Sequence, residues 1–246
     1  SEYSERLNIV ENTMKEILCD DSWMGHCAKY QLHSGGKRFR ALLALMYSDL
    51  LGVDKSIANY AAVCSEFIHN ASLIHDDLQD KDLLRRGLPT IWNRFGDHTA
   101  INLGDYFIAG SFEALTKINV NPSFKCKAVE NLSYTIKQTV KGQSLEILAR
   151  TNLNLKMQEY ESTARAKTGG LICWPIKLIM ILKGLEDLKD DFFQPLYESG
   201  LAYQIQDDLS DFLGIKERGL PGRDLKEGKM NVLIMHFLEN ATNGER

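Results

Sequence analysis

Apolar side chains recur along this chain at steps of three and four residues, the period of an α-helix that buries one face. The first such run contains Tyr3, Leu7, Val10, Met14 and Ile17. Further periodic runs follow through most of the sequence. They predict helices over residues 41–51, 57–80, 100–118, 123–150, 155–166, 171–182, 187–213 and 230–240.

Nowhere does the chain show several alternating, β-branched segments bounded by turn pairs, which would indicate a sheet. The pattern therefore predicts an all-α fold, a bundle of about eight to ten helices joined by short connections. No low-complexity linker interrupts the sequence. We expect one domain that spans residues 1–246.

Two acidic segments stand at the ends of predicted apolar helices. Both have the form D-D-x-x-D, at residues 76–80 and 207–211. Because positions i and i+4 of a helix are neighbours, the first and last aspartates of each segment share one face. Carboxylates without thiolate or imidazole neighbours suit Mg²⁺, which commonly binds one or two carboxylates together with substrate phosphates. The predicted ligands are Asp76, Asp77, Asp80, Asp207, Asp208 and Asp211.

A solvated acidic surface is the alternative interpretation, and one D-D-x-x-D segment alone leaves the two equally balanced. Two such segments, each preceded by largely apolar residues, favour two metal-binding clusters that grip one diphosphate. Placed at equivalent helix ends, the clusters are expected to lie across a shared apolar cavity.

Basic residues near glycine pairs complement these acids. Residues 35–40 read GGKRFR, where glycines let the backbone approach an anion and Lys37 and Arg40 share a helix face. Arg85 and Arg86 follow the first acidic segment, and arginine forks match phosphate oxygens. Residues 167–170, KTGG, interrupt a helical pattern and are expected to break the helix. Each group alone is typical of a solvated surface; together with the acids, they indicate a site for diphosphates.

Composition excludes several other classes of function. The net charge of −4 gives no reason to expect nucleic-acid binding, and 44% hydrophobic residues suffice for a large core. Five scattered cysteines without C-x-x-C spacing favour reduced thiols and a cytoplasmic location. The longest apolar run, 171–182, is too short to cross a bilayer, so we expect no transmembrane segment.

Taken in order, the motifs resemble those of the trans-isoprenyl diphosphate synthases, the polyprenyl synthetase family. The resemblance rests on GGKRFR (35–40), HNASLIHDDLQDKDLLRRGLPT (69–90), GD (104–105), GQSLE (142–146), KTGG (167–170), YQIQDDLSDFLG (203–214) and DLKEGK (224–229). It implies the all-α isoprenoid synthase fold, a homodimer, and three Mg²⁺ ions, with Mn²⁺ as an alternative. The implied activity is head-to-tail condensation of isopentenyl diphosphate with an allylic diphosphate.

The resemblance also assigns roles to individual residues. Both aspartate segments match the family's metal-binding motifs. The positions that match the isopentenyl diphosphate site are Lys37, Arg40, His69 and Arg86. The positions that match the allylic diphosphate site are Arg85, Lys167 and Lys229. Thr168 and Gln204 match positions whose oxygens face the developing carbocation.

Some positions depart from the family pattern. The usual aspartate of G-Q-x-x-D is Glu146 here, and Trp92 stands where the family commonly has histidine. Where relatives often have a lysine after the second motif, this chain has Leu220 and Pro221; the nearby substitutes are Arg218 and Arg223.

Product length depends on the residues one and two turns before Asp76, which are Ile68, Ala71 and Ser72. In the resembling family, bulky aromatic residues at these levels stop chain growth early. Ala71 and Ser72 are small, which predicts a product of C20 or longer. The alternative is that small residues serve helix packing and that Phe107 or Phe112 supplies the floor.

Two other classes of function stay open from the sequence. A class I terpene cyclase or a head-to-head condensing enzyme would use similar metal chemistry, but a cyclase binds one diphosphate and has no use for Lys37, Arg40 and His69. The other class is a weakly active regulatory subunit of a prenyl diphosphate synthase, which the altered region after the second motif favours and the six intact aspartates oppose.

Overall fold

The fold is all-α, as the apolar period predicts. The computed structural model describes residues 2–150, 156–185, 190–215, 222–226 and 228–242. Within these ranges the α-helices are α1 Glu2–Leu18, α2 Trp23–His33, α3 Phe39–Leu50, α4 Lys55–Gln79, α5 Ile91–Phe95, α6 Asp97–Thr116, α7 Pro122–Ala149, α8 Met157–Ala164, α9 Gly170–Lys183, α10 Gln194–Phe212, α11 Arg223–Lys226 and α12 Val232–Asn240. A π-helical segment, Arg165–Gly169, joins α8 to α9, and a 3₁₀ turn, Asp190–Phe192, precedes α10. The predicted count of eight to ten helices is low, because α2, α5 and α11 were not predicted; α5 and α11 are too short to show a period.

The chain divides into two compact units. The first comprises Ser1–Ser133 and Trp174–Asp187, and the second comprises Tyr134–Cys173 and Leu188–Arg246. The single domain expected from the sequence stays a prediction. In the first unit, α4 packs against α1, α3, α5 and α6. Phe67 of α4 and Phe107 of α6 are fully buried and meet edge to face, with ring centroids 5.6 Å apart. Aromatic pairs of this geometry contribute beyond their buried area.

The second unit has a smaller core. Ala149, Tyr160, Ala164, Leu201, Met230 and Met235 form its buried cluster, with Met157, Ile205 and Val232 packed against them. These residues come from α7, α8, α10 and α12 and from the segment before α12. The core therefore fixes α8 and the π-helical segment against α10, the helix that carries the second acidic segment.

Two sequence predictions need correction. The helix predicted over 187–213 begins at Gln194, with Pro195 in its first turn, where a missing N–H costs nothing. The glycines of residues 167–170 do not break the helix, because α8, the π-helical segment and α9 follow one another without a loop. The other long predicted helices agree with the structure to within a few residues at each end.

A short hairpin is the one strand pair of the described residues. Strands β1, Leu84–Arg85, and β2, Leu88–Pro89, pair antiparallel. The turn residues Arg86 and Gly87 have φ angles of 54° and 76°, the two positive values that a type I′ turn requires. With two residues in each strand, the hairpin is too short for the alternation that would have predicted it.

Candidate active site

The first acidic segment forms the C-terminal end of α4 in the first unit. Asp76 and Asp80 are half-buried, whereas Asp77 is 4% exposed. The Asp80 N–H donates to the Asp76 carbonyl oxygen at 2.8 Å, so the last turn is closed and both residues lie on one face. The two outer aspartates keep access to solvent, and the middle one points into the protein.

Asp77 binds Arg85 of β1. The Arg85 Nε donates to both carboxylate oxygens at 2.8 Å, and Nη2 lies 2.5 Å from Oδ1. Burial disfavours the charged guanidinium, but the hydrogen bonds and negative charge of Asp77 outweigh it and raise the pKa of Arg85. This buried pair fixes the hairpin to the end of α4.

The hairpin in turn places Arg86 against the glycine loop between α2 and α3. The Arg86 guanidinium donates to the Gly35 carbonyl oxygen. A Cβ atom at Gly36 would lie 2.9 Å from Arg86 Nη1, and the φ of Gly36 is 141°, so a side chain there would strain the backbone and displace the guanidinium. The sequence predicted that these glycines let the backbone approach an anion. In the structure they leave space for the Arg86 guanidinium.

Arg38 of the same loop has a structural role. It is buried, has a φ of 47°, and donates to the Leu32 carbonyl oxygen and the Glu11 carboxylate, each at 3.1 Å. Lys37 beside it is exposed, and Arg40 is half-buried in the first turn of α3. The loop thus separates one arginine that stabilises the fold from two cations that stay near the surface.

His69 lies two turns before Asp76 on α4, among positive charges. Burial comes first, and the charges of Arg40, Arg86, Arg85 and Arg38 then add to it, so the pKa of His69 falls well below its usual value. The charges of Arg40 on α3 and Arg86 in the hairpin both act on the His69 ring on α4. These three residues were predicted to bind isopentenyl diphosphate. Lys37, predicted with them, is exposed in the loop before α3.

The three residues predicted to set product length lie on α4. Ile68 and Ala71 are buried, and Ser72 is half-buried with its hydroxyl donating to the His69 carbonyl oxygen at 2.8 Å. Of the two aromatic alternatives, Phe107 is fully buried against Phe67, and Phe112 is half-buried.

The second acidic segment lies near the end of α10 in the second unit. Asp207 is half-buried, whereas Asp208 and Asp211 are 3% and 6% exposed. Asp208 accepts three hydrogen bonds: its Oδ2 from the Tyr160 hydroxyl and the Val232 N–H, each at 2.8 Å, and its Oδ1 from Gln204 Nε2 at 3.0 Å. Burial raises the pKa of Asp208 to about 6 against the opposing effect of these donors.

A pocket opens beside this carboxylate. Its lining comprises Glu146, Tyr160, Thr163, Ala164, Lys167, Gln204 and Met230. Lys167 Nζ lies 2.7 Å from Glu146 Oε2, and the Thr168 hydroxyl donates to Gln204 Oε1 at 3.4 Å. Three residues predicted from the sequence, Lys167, Thr168 and Gln204, are thus close together in the second unit.

The π-helical segment explains how they meet. Its wider turn carries Lys167 and Thr168, and π turns inside α-helices occur frequently at functional sites. The segment packs on α10 through Gly169 and Gly200; a Cβ at Gly200 would collide with the Gly169 backbone, and one at Gly169 would lie 2.9 Å from the Tyr197 Cα. Backbone contact between two glycines sets the distance from Thr168 to Gln204.

Sequence reasoning missed Tyr160. It lies 48 residues before Asp208, in a polar stretch with no motif, and only the packing of α8 on α10 brings its hydroxyl to the carboxylate. Of the remaining predicted residues, Lys229 is half-buried before α12. Arg218, Leu220 and Pro221 lie outside the described residues, as does the side chain of Arg223.

The acidic clusters offer oxygen ligands for a hard cation. Across the described ranges, no three aspartate, glutamate, histidine or cysteine side chains converge on a point that would hold a metal by themselves. The half-buried carboxylates of Asp76, Asp80 and Asp207 nevertheless suit Mg²⁺, which usually completes its shell with water and substrate phosphates. No described helix is long and apolar enough to cross a membrane.

The sequence of this chain is similar to those of known proteins. The model of the polyprenyl synthetase family matches residues 21–246. The chain is 32% identical over 241 residues to the geranylgeranyl pyrophosphate synthase of Geoglobus acetivorans, covering 96% of this chain and 76% of that protein. It is 35% identical over 255 residues to the geranylgeranyl diphosphate synthase of Saccharolobus solfataricus, covering 99% and 75%.

Solved structures show the same fold. The geranylgeranyl pyrophosphate synthetase of Geoglobus acetivorans matches with a TM-score of 0.84 and 30% identity, over 98% of this chain and 77% of that one. A decaprenyl diphosphate synthase of Rhodobacter capsulatus matches with the same TM-score and 26% identity, over 99% and 75%. The isoprenoid synthase fold predicted from the sequence is confirmed.

Proposed function

The chain belongs to the polyprenyl synthetase family, and from that premise we propose that it condenses isopentenyl diphosphate with an allylic diphosphate, head to tail, to give a C20 product. Members of this family are prenyltransferases that depend on a divalent metal ion. The C20 length follows the names of the relatives in Geoglobus and Saccharolobus and the small residues Ala71 and Ser72.

One arrangement carries the proposal: Arg86 lies against the Gly35–Gly36 loop that precedes Arg40, and after burial the charges of Arg40, Arg86 and Arg85 lower the pKa of His69. Such a cluster suits a diphosphate, since arginine forks pair with phosphate oxygens. The second unit has its own cation, Lys167, beside Thr168 and Gln204. Separate cations for two diphosphates favour a condensing enzyme over a cyclase, which binds one.

We assign the metal ions to the first and last aspartates of each acidic segment. Asp76 and Asp80 would hold Mg²⁺ in the first unit, and Asp207 with the more buried Asp211 would hold it in the second. The expected number of ions is three. Asp77 and Asp208 were predicted as ligands too, but their carboxylates already bind Arg85 and the Tyr160–Gln204–Val232 donors. Bound Mg²⁺ supplies Lewis acidity for the departing diphosphate.

The side chains of the protein supply the rest of the chemistry. Arg85, Lys167 and Lys229 are the predicted cations for the allylic diphosphate. In the structure Lys167 is paired with Glu146, and we expect it to bind the diphosphate in the complex. The allylic C–O bond breaks, its electrons leave with the diphosphate, and the carbocation is stabilised by the oxygens of Thr168 and Gln204. The double bond of isopentenyl diphosphate forms the new C–C bond, and a proton passes to the departing diphosphate.

A turnover assay tests the proposal. Purified protein with labelled isopentenyl diphosphate, Mg²⁺ and a C5, C10 or C15 allylic primer is expected to give a C20 diphosphate and to stop when the metal is chelated. Absence of condensation with every primer, or cyclisation of one primer alone, would contradict the proposal. The homodimer implied by the resemblance is tested separately by light scattering.

Two variants assign the substrate sites in the same assay. Arg40→Ala is expected to raise the KM for isopentenyl diphosphate with little change for the primer, because it removes one charge-assisted phosphate contact. Lys167→Ala is expected to lower turnover of the primer instead. Lys183→Ala is the matched control for loss of a lysine, because the Lys183 amine donates to the Gly52 carbonyl oxygen within the first unit at 3.3 Å.

A further inference from the structure

The second aspartate of the second acidic segment has geometry that fits a task other than metal binding. Asp208 is 3% exposed, and all three of its hydrogen bonds come from donors within the second unit. Tyr160 and the Val232 N–H occupy Oδ2, which anchors the carboxylate to α8 and α12. Oδ1 is thereby left to Gln204, one turn earlier on α10.

The contact with Gln204 fixes which way its amide points. A side-chain amide has one end that donates and one that accepts, and the two ends are nearly equal in shape. A carboxylate only accepts, so Nε2 must turn toward Asp208. The carbonyl oxygen Oε1 then points the other way, where the Thr168 hydroxyl donates to it across 3.4 Å.

We propose that Asp208 is a positioning residue which holds the Gln204 amide so that its carbonyl oxygen, rather than its NH₂ group, faces the carbocation. This inference rests on the proposed function. A carbonyl oxygen stabilises a positive charge by its dipole, whereas an NH₂ group in the same place would oppose it. Asp208 thus acts on the carbocation indirectly, because it prevents the Gln204 amide from turning its NH₂ group toward the positive charge.

The test compares a charged and an uncharged ligand of equal shape. The probes are an allylic diphosphate analogue with a protonated tertiary amine at the cationic carbon, and its hydrocarbon isostere. Calorimetry on the wild-type protein is expected to show tighter binding of the ammonium analogue. In Asp208→Asn, whose side chain also offers NH₂, the ammonium analogue is expected to bind about tenfold more weakly, since one dipole is no longer held in place. Binding of the isostere stays unchanged.

Turnover gives a second comparison. Asp208→Asn is expected to lower kcat about 10- to 100-fold with little change in either KM, and the Mg²⁺ concentration for half-maximal activity stays that of the wild type. In Asp207→Asn, that concentration rises. In the background of Gln204→Leu, Asp208→Asn is expected to cause no further loss, because residues that act through one group are not additive.

Tyr160→Phe is the matched control for loss of a hydrogen bond to the carboxylate without loss of packing. It removes one hydrogen bond to Oδ2 and leaves the Gln204 contact in place, so the preference for the ammonium analogue survives. Equal weakening of both analogues in Asp208→Asn, a raised Mg²⁺ requirement, or additive losses with Gln204→Leu would each overturn the inference.

Activity of the wild-type protein and ligand binding by Asp208→Asn together distinguish failure of the positioning role from failure of the proposed condensation. If the wild-type protein condenses substrates and Asp208→Asn keeps the ammonium preference, the inference fails alone. If the wild type has no condensing activity, the proposed function fails first. Should Asp208→Asn not fold, the side-chain NH₂ resonances of wild-type Gln204, identified by their loss in Gln204→Leu, decide: slow exchange with solvent supports the contact, and fast exchange excludes it.

Discussion

The two acidic segments share one sequence pattern but are supported differently. In the first, the middle aspartate binds a buried cation, Arg85. In the second, the middle aspartate binds neutral donors, the Tyr160 hydroxyl, the Gln204 amide and the Val232 N–H. The same letters, D-D-x-x-D, thus stand for an ion pair that fixes a hairpin in one case and a hydrogen-bonded network that orients an amide in the other.

The outer and middle aspartates of each acidic segment differ in their exposure and in their contacts. Of the outer residues, Asp76, Asp80 and Asp207 are half-buried and keep access to solvent, whereas Asp211 is 6% exposed. The middle residues are turned inward and are satisfied by their own unit. A buried charge without a partner is costly. The first unit therefore supplies an arginine for Asp77, and the second unit supplies neutral hydrogen-bond donors for Asp208.

The largest effect is expected where the two segments are alike. Asp76→Ala and Asp207→Ala are each expected to lower turnover about 100- to 1,000-fold, because each removes a ligand for an ion that stabilises charge in the transition state. Steady-state kinetics measures the loss, and circular dichroism shows that the helices persist. Near-normal turnover in either variant would remove the metal role from that segment.

The next effect separates the middle aspartates. Asp77→Ala leaves Arg85 buried without its carboxylate and is expected to lower the free energy of unfolding by about 3–5 kcal/mol. Replacing both partners, in Asp77→Ala with Arg85→Met, is expected to restore most of this loss, since no charge is then left buried. Urea denaturation of the single and double variants measures both values.

An exposed pair gives the control for that experiment. Lys81 and Asp97 are 3.3 Å apart, with both side chains 57% exposed. Lys81→Ala is therefore expected to change the free energy of unfolding by less than about 1 kcal/mol. If Asp77→Ala costs no more than Lys81→Ala, the Asp77–Arg85 pair does not stabilise the hairpin.

A smaller effect tests the support of the second segment, which rests on glycine contact as well as hydrogen bonds. Gly200→Ala pushes a methyl group into the Gly169 backbone and is expected to cost about 1–3 kcal/mol of unfolding free energy. Turnover is expected to fall as well, because Thr168 moves away from Gln204.

Gly170→Ala is the matched control. A Cβ there meets no atom within 4 Å, and the residue is helical, so the change is expected to stabilise the protein by up to about 1 kcal/mol. Thermal denaturation of the two variants is compared. Equal stability of Gly200→Ala and the wild type would show that the π-helical segment tolerates displacement.

The smallest effect concerns product length, which we assign to the helix of the first segment alone. Ala71→Phe places an aromatic ring beneath Asp76 and is expected to shorten the dominant product by at least one C5 unit. Ser72→Ala, which removes only the hydroxyl, is the control and is expected to leave the product profile unchanged. Chromatography of the dephosphorylated products measures both. An unshifted profile in Ala71→Phe would assign the floor to another residue, such as Phe107.

The sequence by itself determined most of the helices, because a helix that buries one face has an apolar residue every three to four positions. It also placed both acidic segments at helix ends, since their i, i+4 spacing is a local property. The helices and the acidic segments depend on residues that are close along the chain. The roles of Lys167, Thr168 and Gln204 came instead from the resemblance to the family, which assigned Lys167 to the allylic diphosphate and paired Thr168 with Gln204 at the carbocation.

Tertiary structure decided what those residues contact. The glycines at 169 and 170 suggested a broken helix, yet packing of Gly169 on Gly200 accommodates a continuous π turn. Nothing in the letters distinguishes Asp77 from Asp208, because their partners, Arg85 and Tyr160, come from different elements. A hydrogen bond between residues 48 positions apart leaves no period in the sequence, and only the packing of helices brings its two ends together.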